Sequence, residues 1–202
     1  MKKLFLLMGL PAFFSFSDPH AGLSAEERKF AADYMRATRD ALLKDVNGLS
    51  EAQLNFKAEP AKWSVAQCME HIGVAEAALF AYVQKGLKEP ADPSKRSEVK
   101  ATDTTVLRVV TDRSRKSTAP EFLEPEGKFS SPQEALKSFI ENRSKLIEYV
   151  MSTNDDLRNH YSNHAVMGRI DDYQALLLIA AHSRRHTLQI EEVMANPNFP
   201  KQ

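Results

Sequence analysis

The 202-residue chain carries 27 Lys+Arg against 27 Asp+Glu, a formal net charge of +0, so no global field concentrates nucleic acid or an anionic membrane surface on it, and nucleic acid is excluded as an expected partner. With 43% hydrophobic residues it can bury one sizeable core, and a single domain is expected. Cys68 is the only cysteine, which excludes an intramolecular disulfide and any site built from several thiolates.

At the N-terminus, Met1-Lys2-Lys3 is followed by an apolar run from Leu4 to Phe16 and by Ser15-Phe16-Ser17 before the polar Asp18. This is the basic, apolar and small-residue order of a secretory signal, and the run is too short to span a bilayer. The expected organisation is a signal peptide over residues 1–17 and a helical domain over 18–202, secreted or periplasmic, with no membrane anchor after processing. An apolar arm on a cytosolic protein is the alternative. No cysteine follows the run, so a lipoprotein anchor is not expected.

Four segments then show helical periodicity, each opening on a capping signal. The first begins at Ser24-Ala25-Glu26-Glu27 and stops near Asn47-Gly48, a glycine stop of the left-handed type. The second begins at Ser64-Val65-Ala66-Gln67, where Trp63 can form a hydrophobic staple, and the third at Ser131-Pro132-Gln133-Glu134. In these three the serine hydroxyl can accept a backbone N–H three residues on while the Glu or Gln side chain reaches back. The fourth opens near Asp171, with Gln174 as a looser version of the same device, and runs from about Tyr173 to Ala195, where Asn196-Pro197 ends it.

The third segment places Leu136, Phe139, Ile140, Leu146, Ile147 and Val150 on one stripe interrupted only by Arg143. Roughly 45 residues separate the second and third segments, with Pro90, Pro93, Pro120 and Pro125 along them. A short periodic patch at Val106, Leu107, Val109 and Val110 reads as a helix inside that connection, which is long enough to cross a bundle end to end. Strand signals are otherwise absent, and the expected fold class is all-α.

In the fourth segment, His182-Ser183-Arg184-Arg185-His186 sets two imidazoles one turn apart on a single face. Leu178, Ile179, Gln189, Ile190 and Val193 share that side, whereas Arg184 and Glu191-Glu192 point largely elsewhere, so the histidines face inward. On the second segment His71 lies on a line with Cys68, Ala75 and Tyr82, and is the third candidate ligand. Three neutral imidazoles leave coordination positions open and suit zinc, nickel, iron or copper. With metal–nitrogen bonds near 2.0–2.1 Å, their nitrogens should converge to about 3 to 4 Å. The bland alternative is a set of hydrogen-bonded core histidines. Cys68, one turn before His71, reads as a buried non-ligating thiol, with a thiolate ligand as the alternative. His160, His164 and His20 are not counted as ligands, and no general base is assigned.

Lys62-Trp63-Ser64-Val65-Ala66-Gln67 leading to His71, and Gly168-Arg169-Ile170 leading through Tyr173-Gln174 to His182, Arg185, His186 and Gln189, resemble the DinB-like (YfiT-like) proteins. The resemblance covers nearly all of the chain after residue 17 and includes the long connection with Pro120-Glu121-Phe122-Leu123 and Pro125. It implies an up-down four-helix bundle with a long connection containing a short helix between helices 2 and 3, and one divalent metal, zinc or nickel, on His71, His182 and His186. It further implies a metal-dependent enzyme of the hydrolase or thiol S-transferase type, the alternative being a non-catalytic metal-binding or structural bundle outside the cytoplasm. Tyr34, Arg185 and Gln189 are the polar residues singled out for roles around the ion or its substrate. A small-molecule substrate and a homodimeric arrangement are both compatible with this reading.

Overall fold

The computed structural model describes residues 22–116 and 118–201, so the expected signal segment, its cleavage point and His20 lie outside the described residues. The four expected helices are α1 (Ala25–Val46), α3 (Val65–Gly86), α5 (Pro132–Ser152) and α6 (Asp172–Met194); a five-residue helix, α2 (Glu51–Asn55), separates the first two. The connection after α3 holds the expected short helix, α4 (Asp103–Thr111), and two 3-10 segments, Pro93–Glu98 and Glu121–Leu123. A two-stranded antiparallel hairpin, β1 (Tyr161–His164) and β2 (Gly168–Asp171), precedes α6.

The starts follow the serine and aspartate chemistry. Ser24 and Ser64 each accept the N–H of the residue three on, while Glu27 and Gln67 reach back to the cap backbone. Asp171 and Gln174 make the same complete box. Ser131 accepts from Glu134 N, but the Glu134 carboxylate turns instead to the backbone and hydroxyl of Ser130. The end of α1 is also as expected, with Gly48 in the left-handed region at φ 74°.

The long helices pack in a ring in which α1 and α3 both contact α5 and α6. Their directions can be read from the contacts between them. Arg28 near the start of α1 donates to the Val150 and Thr153 carbonyls at the end of α5, and the Tyr173 hydroxyl at the start of α6 donates to the Glu27 carbonyl. Thus α1 runs with α6 and against α5. Along α3 and α5 in turn, Gly73 faces Ala135, Glu76 meets Arg143 and Phe80 packs on Tyr149, so those two are parallel, and the connection between them must carry the chain back along the bundle. At Gly73 an added Cβ would stand 2.9 Å from the Ala135 carbonyl oxygen, which is why the helices can approach there.

Two apolar clusters fill the interior. Met35, Leu146, Leu176, Leu177 and Ile179 belong to one, and Leu42, Cys68, Ile72, Phe139 and Ile190 to the other. Arg143, the residue that interrupts the α5 stripe, lies between them at 0% exposure. It forms a two-point pair with Glu76 of α3, and also donates to the Met35 carbonyl and Thr38 hydroxyl of α1 and to the Ser183 hydroxyl of α6. One side chain therefore ties all four long helices together. Among the described residues no helix is long and apolar enough to cross a membrane.

Candidate metal centre

Because α3 and α6 run in opposite directions, His71 in the second turn of α3 comes to face His182 and His186 around the middle of α6. One nitrogen from each lies within 4.8 Å of the others, an envelope somewhat wider than the expected 3 to 4 Å. His71 Nε2 and His182 Nε2 are 3.2 Å apart. Tetrahedral ligands on bonds of about 2.0–2.1 Å would stand about 3.3–3.4 Å from each other, so this pair already has the spacing of two ligands to one ion. The rings crowd together at centroid distances of 4.4 to 5.0 Å.

Hydrogen bonds on the far side of the rings decide which nitrogens point inward. His71 Nδ1 is 2.7 Å from the Leu123 carbonyl oxygen. A carbonyl only accepts, so Nδ1 carries the proton and Nε2 keeps its lone pair toward the other histidines. His186 Nδ1 is likewise 3.0 Å from Gln189 Oε1, which leaves its Nε2 free. Converging lone pairs in a largely buried spot are unfavourable unless a proton or cation lies between them, and that chemistry fits a divalent ion.

Burial disfavours the charged form of each ring. It is the largest influence on His71, which is lowered, on His182, pushed down to about 3, and on His186, which falls well below the ordinary imidazole range; proximity of the rings adds to the effect on the last two. All three are therefore neutral, ligand-competent imidazoles at neutral pH. The sign of the pH dependence follows. A group whose folded pKa is depressed contributes stability that is fully present above its unfolded value of 6.5 and is lost as pH falls toward the folded one, about 3 for His182. The metal-free protein is expected to melt at progressively lower temperature from pH 7 to pH 4, with a shallower decline for His182→Asn. Parallel melting profiles for the two proteins across that range would contradict the assignment.

The other residues singled out for the site divide. Gln189 joins it through His186. Arg185 does not reach it; its guanidinium donates to the Val110, Asp112 and Arg115 carbonyls at and beyond the end of α4. Tyr34 lines a surface depression with Thr38, Arg184 and Leu188, and the last two lie about 200–240° around α6 from His182, on its opposite side. Cys68 packs with Ile72, Phe139 and Ile190, stays outside the histidine group, and has its thiol pushed up to about 12 by burial. Tyr82, expected on the His71 line, is 63% exposed. His160 and His164 stand apart, the first against the Asp156 and Glu89 carbonyls and the second accepting the N–H groups of the hairpin turn.

Three contributors are not evident in the sequence. Trp63, expected as a staple, walls the site with its ring 4.9 Å from His71 and stacked 5.8 Å from His186. Its position immediately before a cap that leads into a histidine-bearing turn is the one signal for it. The Leu123 carbonyl is backbone and leaves no signature in residue type. Arg113, in the loop after α4, donates to Gln189 Oε1 and pairs with Glu192, a residue expected to point away.

Residues 34–190 match the DinB superfamily. The uncharacterized protein YuaE of Bacillus subtilis (strain 168) is 27% identical over 149 residues, covering 74% of this chain and 88% of YuaE. The solved structure of YfiT from Bacillus subtilis, described as a probable metal-dependent hydrolase with an unusual four-helix bundle topology, is similar with a TM-score of 0.57 and 17% identity. That likeness covers 88% of this chain and 91% of YfiT, and shows a shared fold.

Proposed function

The chain belongs to the DinB superfamily, and from that premise we propose that it is a metal-dependent enzyme, of the hydrolase or thiol S-transferase type, that holds one divalent ion on His71, His182 and His186. The observation that carries this reading is the convergence of three imidazoles that no Cys, Asp or Glu joins among the described residues. A three-ligand set with an open position is how catalytic zinc sites are built, whereas structural sites close all four. Zinc and nickel both suit an all-imidazole set. When bound, the ion would act as a Lewis acid and lower the pKa of a water molecule or an incoming thiol at neutral pH.

The chain's own groups supply the rest. Leu123 O and Gln189 hold two of the rings with their Nε2 atoms inward, and Trp63 lays an apolar wall against the rings of His71 and His186. The proposal includes export on the signal expected over residues 1–17; outside the cytoplasm the protein would work away from the low-molecular-weight thiols that transferases use, which favours the hydrolase type and a small-molecule substrate. Expression with the native N-terminus should yield a mature protein beginning near Asp18, as read by N-terminal sequencing or intact mass; full-length protein in the cytosolic fraction would defeat the export part of the proposal.

The activity is tested by comparing metal-loaded, chelated and His182→Ala protein on a panel of ester and amide substrates and of thiol acceptors. Turnover is expected only in the loaded wild type. Stoichiometric metal without turnover on any of them would favour the non-catalytic bundle.

A further inference from the structure

The Gln189 amide has two faces, and only one of them leaves His186 able to bind an ion. If Oε1 faces the ring, His186 Nδ1 must be the donor and Nε2 is free. If the NH2 group faces it, Nδ1 must accept, the proton moves to Nε2, and the ligand atom is blocked. Gln189 Oε1 is 3.0 Å from His186 Nδ1 and 3.3 Å from Arg113 Nη1. A guanidinium has donors only, so an amide turned the other way would set its NH2 against them. We propose that Arg113 is a positioning residue, which locks the Gln189 amide and through it holds His186 in the tautomer whose Nε2 can take the metal.

The loop is built for this. Glu192, one turn further along α6, holds Arg113 at two points, Nε to Oε1 at 3.0 Å and Nη2 to Oε2 at 2.6 Å. Arg185 grips the loop backbone on both sides of Arg113, through the carbonyls of Val110, Asp112 and Arg115. The circuit starts on α6 at Arg185, passes through the loop and returns to α6 at Gln189. It gives Arg185, which lies between the two histidines yet does not reach the site, a purpose there. The same connection supplies Leu123 O to His71, so two of the three rings are oriented by one excursion of the chain.

Only the use made of the free nitrogen rests on the proposed metal role; the tautomer does not. The test therefore has two readouts. In metal-free protein at pH 8, imidazole 15N NMR should show His186 as the Nδ1–H form in the wild type and a shift toward Nε2–H in Arg113→Met. Zinc affinity, measured by competition with a chromophoric chelator, should fall about 10- to 100-fold in that variant. Adding Gln189→Glu to Arg113→Met replaces the amide by a group that can only accept, and should restore both the Nδ1–H form and most of the affinity. Glu192→Gln, which loosens Arg113 without touching Gln189 or His186, should move both readouts in the same direction by less. Matching helical circular dichroism for all variants guards against misfolding. An unchanged tautomer and affinity in Arg113→Met, or a double variant no better than the single one, would overturn the proposal. Wild-type protein that binds no zinc would defeat the metal reading, while the metal-free tautomers would still decide this inference.

Discussion

Replacing His186 with alanine is expected to abolish tight metal binding and leave a folded helical protein. In the proposed site the ring is one of three ligands, and its loss should cost well over the roughly 100-fold in affinity that removal of a ligand's hydrogen-bond partner costs. The core loses little, because the helices are separately capped and most of the buried area belongs to the two apolar clusters. His186 is 8% exposed and its hydrogen-bond partner among the described residues, Gln189, is half-buried, so the stability loss should stay below about 3 kcal/mol. Bound metal and far-ultraviolet circular dichroism are to be measured on the same preparation. Retention of one ion per chain would make His186 an ordinary buried histidine, and complete unfolding would make the cluster a structural staple.

The largest loss of stability is expected elsewhere, at Glu76. Substituting leucine leaves the fully buried Arg143 guanidinium with neutral partners only, and an uncompensated buried charge costs about 3–5 kcal/mol. A denaturant midpoint measurement on Glu76→Leu should show that loss, and Glu76→Leu combined with Arg143→Met should recover most of it. Thr38 and Ser183 do not oppose the recovery, since each hydroxyl also donates to a carbonyl of its own helix. A loss under about 1 kcal/mol in the single variant would mean that the neutral contacts to Met35, Thr38 and Ser183 suffice for the guanidinium. The pair reaches toward the site as well, since Arg143 also donates to the hydroxyl of Ser183, the chain neighbour of His182.

How far the sequence alone reveals this molecule follows from the range of the interactions involved. Helix starts are local: a serine or aspartate and an acceptor or amide three residues later lie within one turn, and all four major helices are legible from that alone. The same signature opens α2 at Ser50 and Gln53, but with five residues of helix behind it no apolar stripe can develop to mark it. The hairpin leaves no mark because its strands are four residues each and neither alternates buried with exposed positions. Arg143 is visible as an interruption of a stripe, whereas its partner Glu76 lies 67 residues away on another helix. The three histidines are legible because two share a helical face and the third faces inward on an apolar helix. Arg113, Glu192 and the Leu123 carbonyl are not, since only the path of the long connection brings them there.

X-ray absorption at the metal edge of the zinc- or nickel-loaded protein tests the central claim most directly, since it counts and identifies the ligands. Three imidazoles from His71, His182 and His186 predict one ion per chain, nitrogen scatterers at about 2.0–2.1 Å with imidazole outer-shell features, and room for one or more light atoms besides. A sulfur scatterer at about 2.3 Å would place Cys68 on the ion, and a signal without imidazole features would place the metal elsewhere; either result would contradict the account.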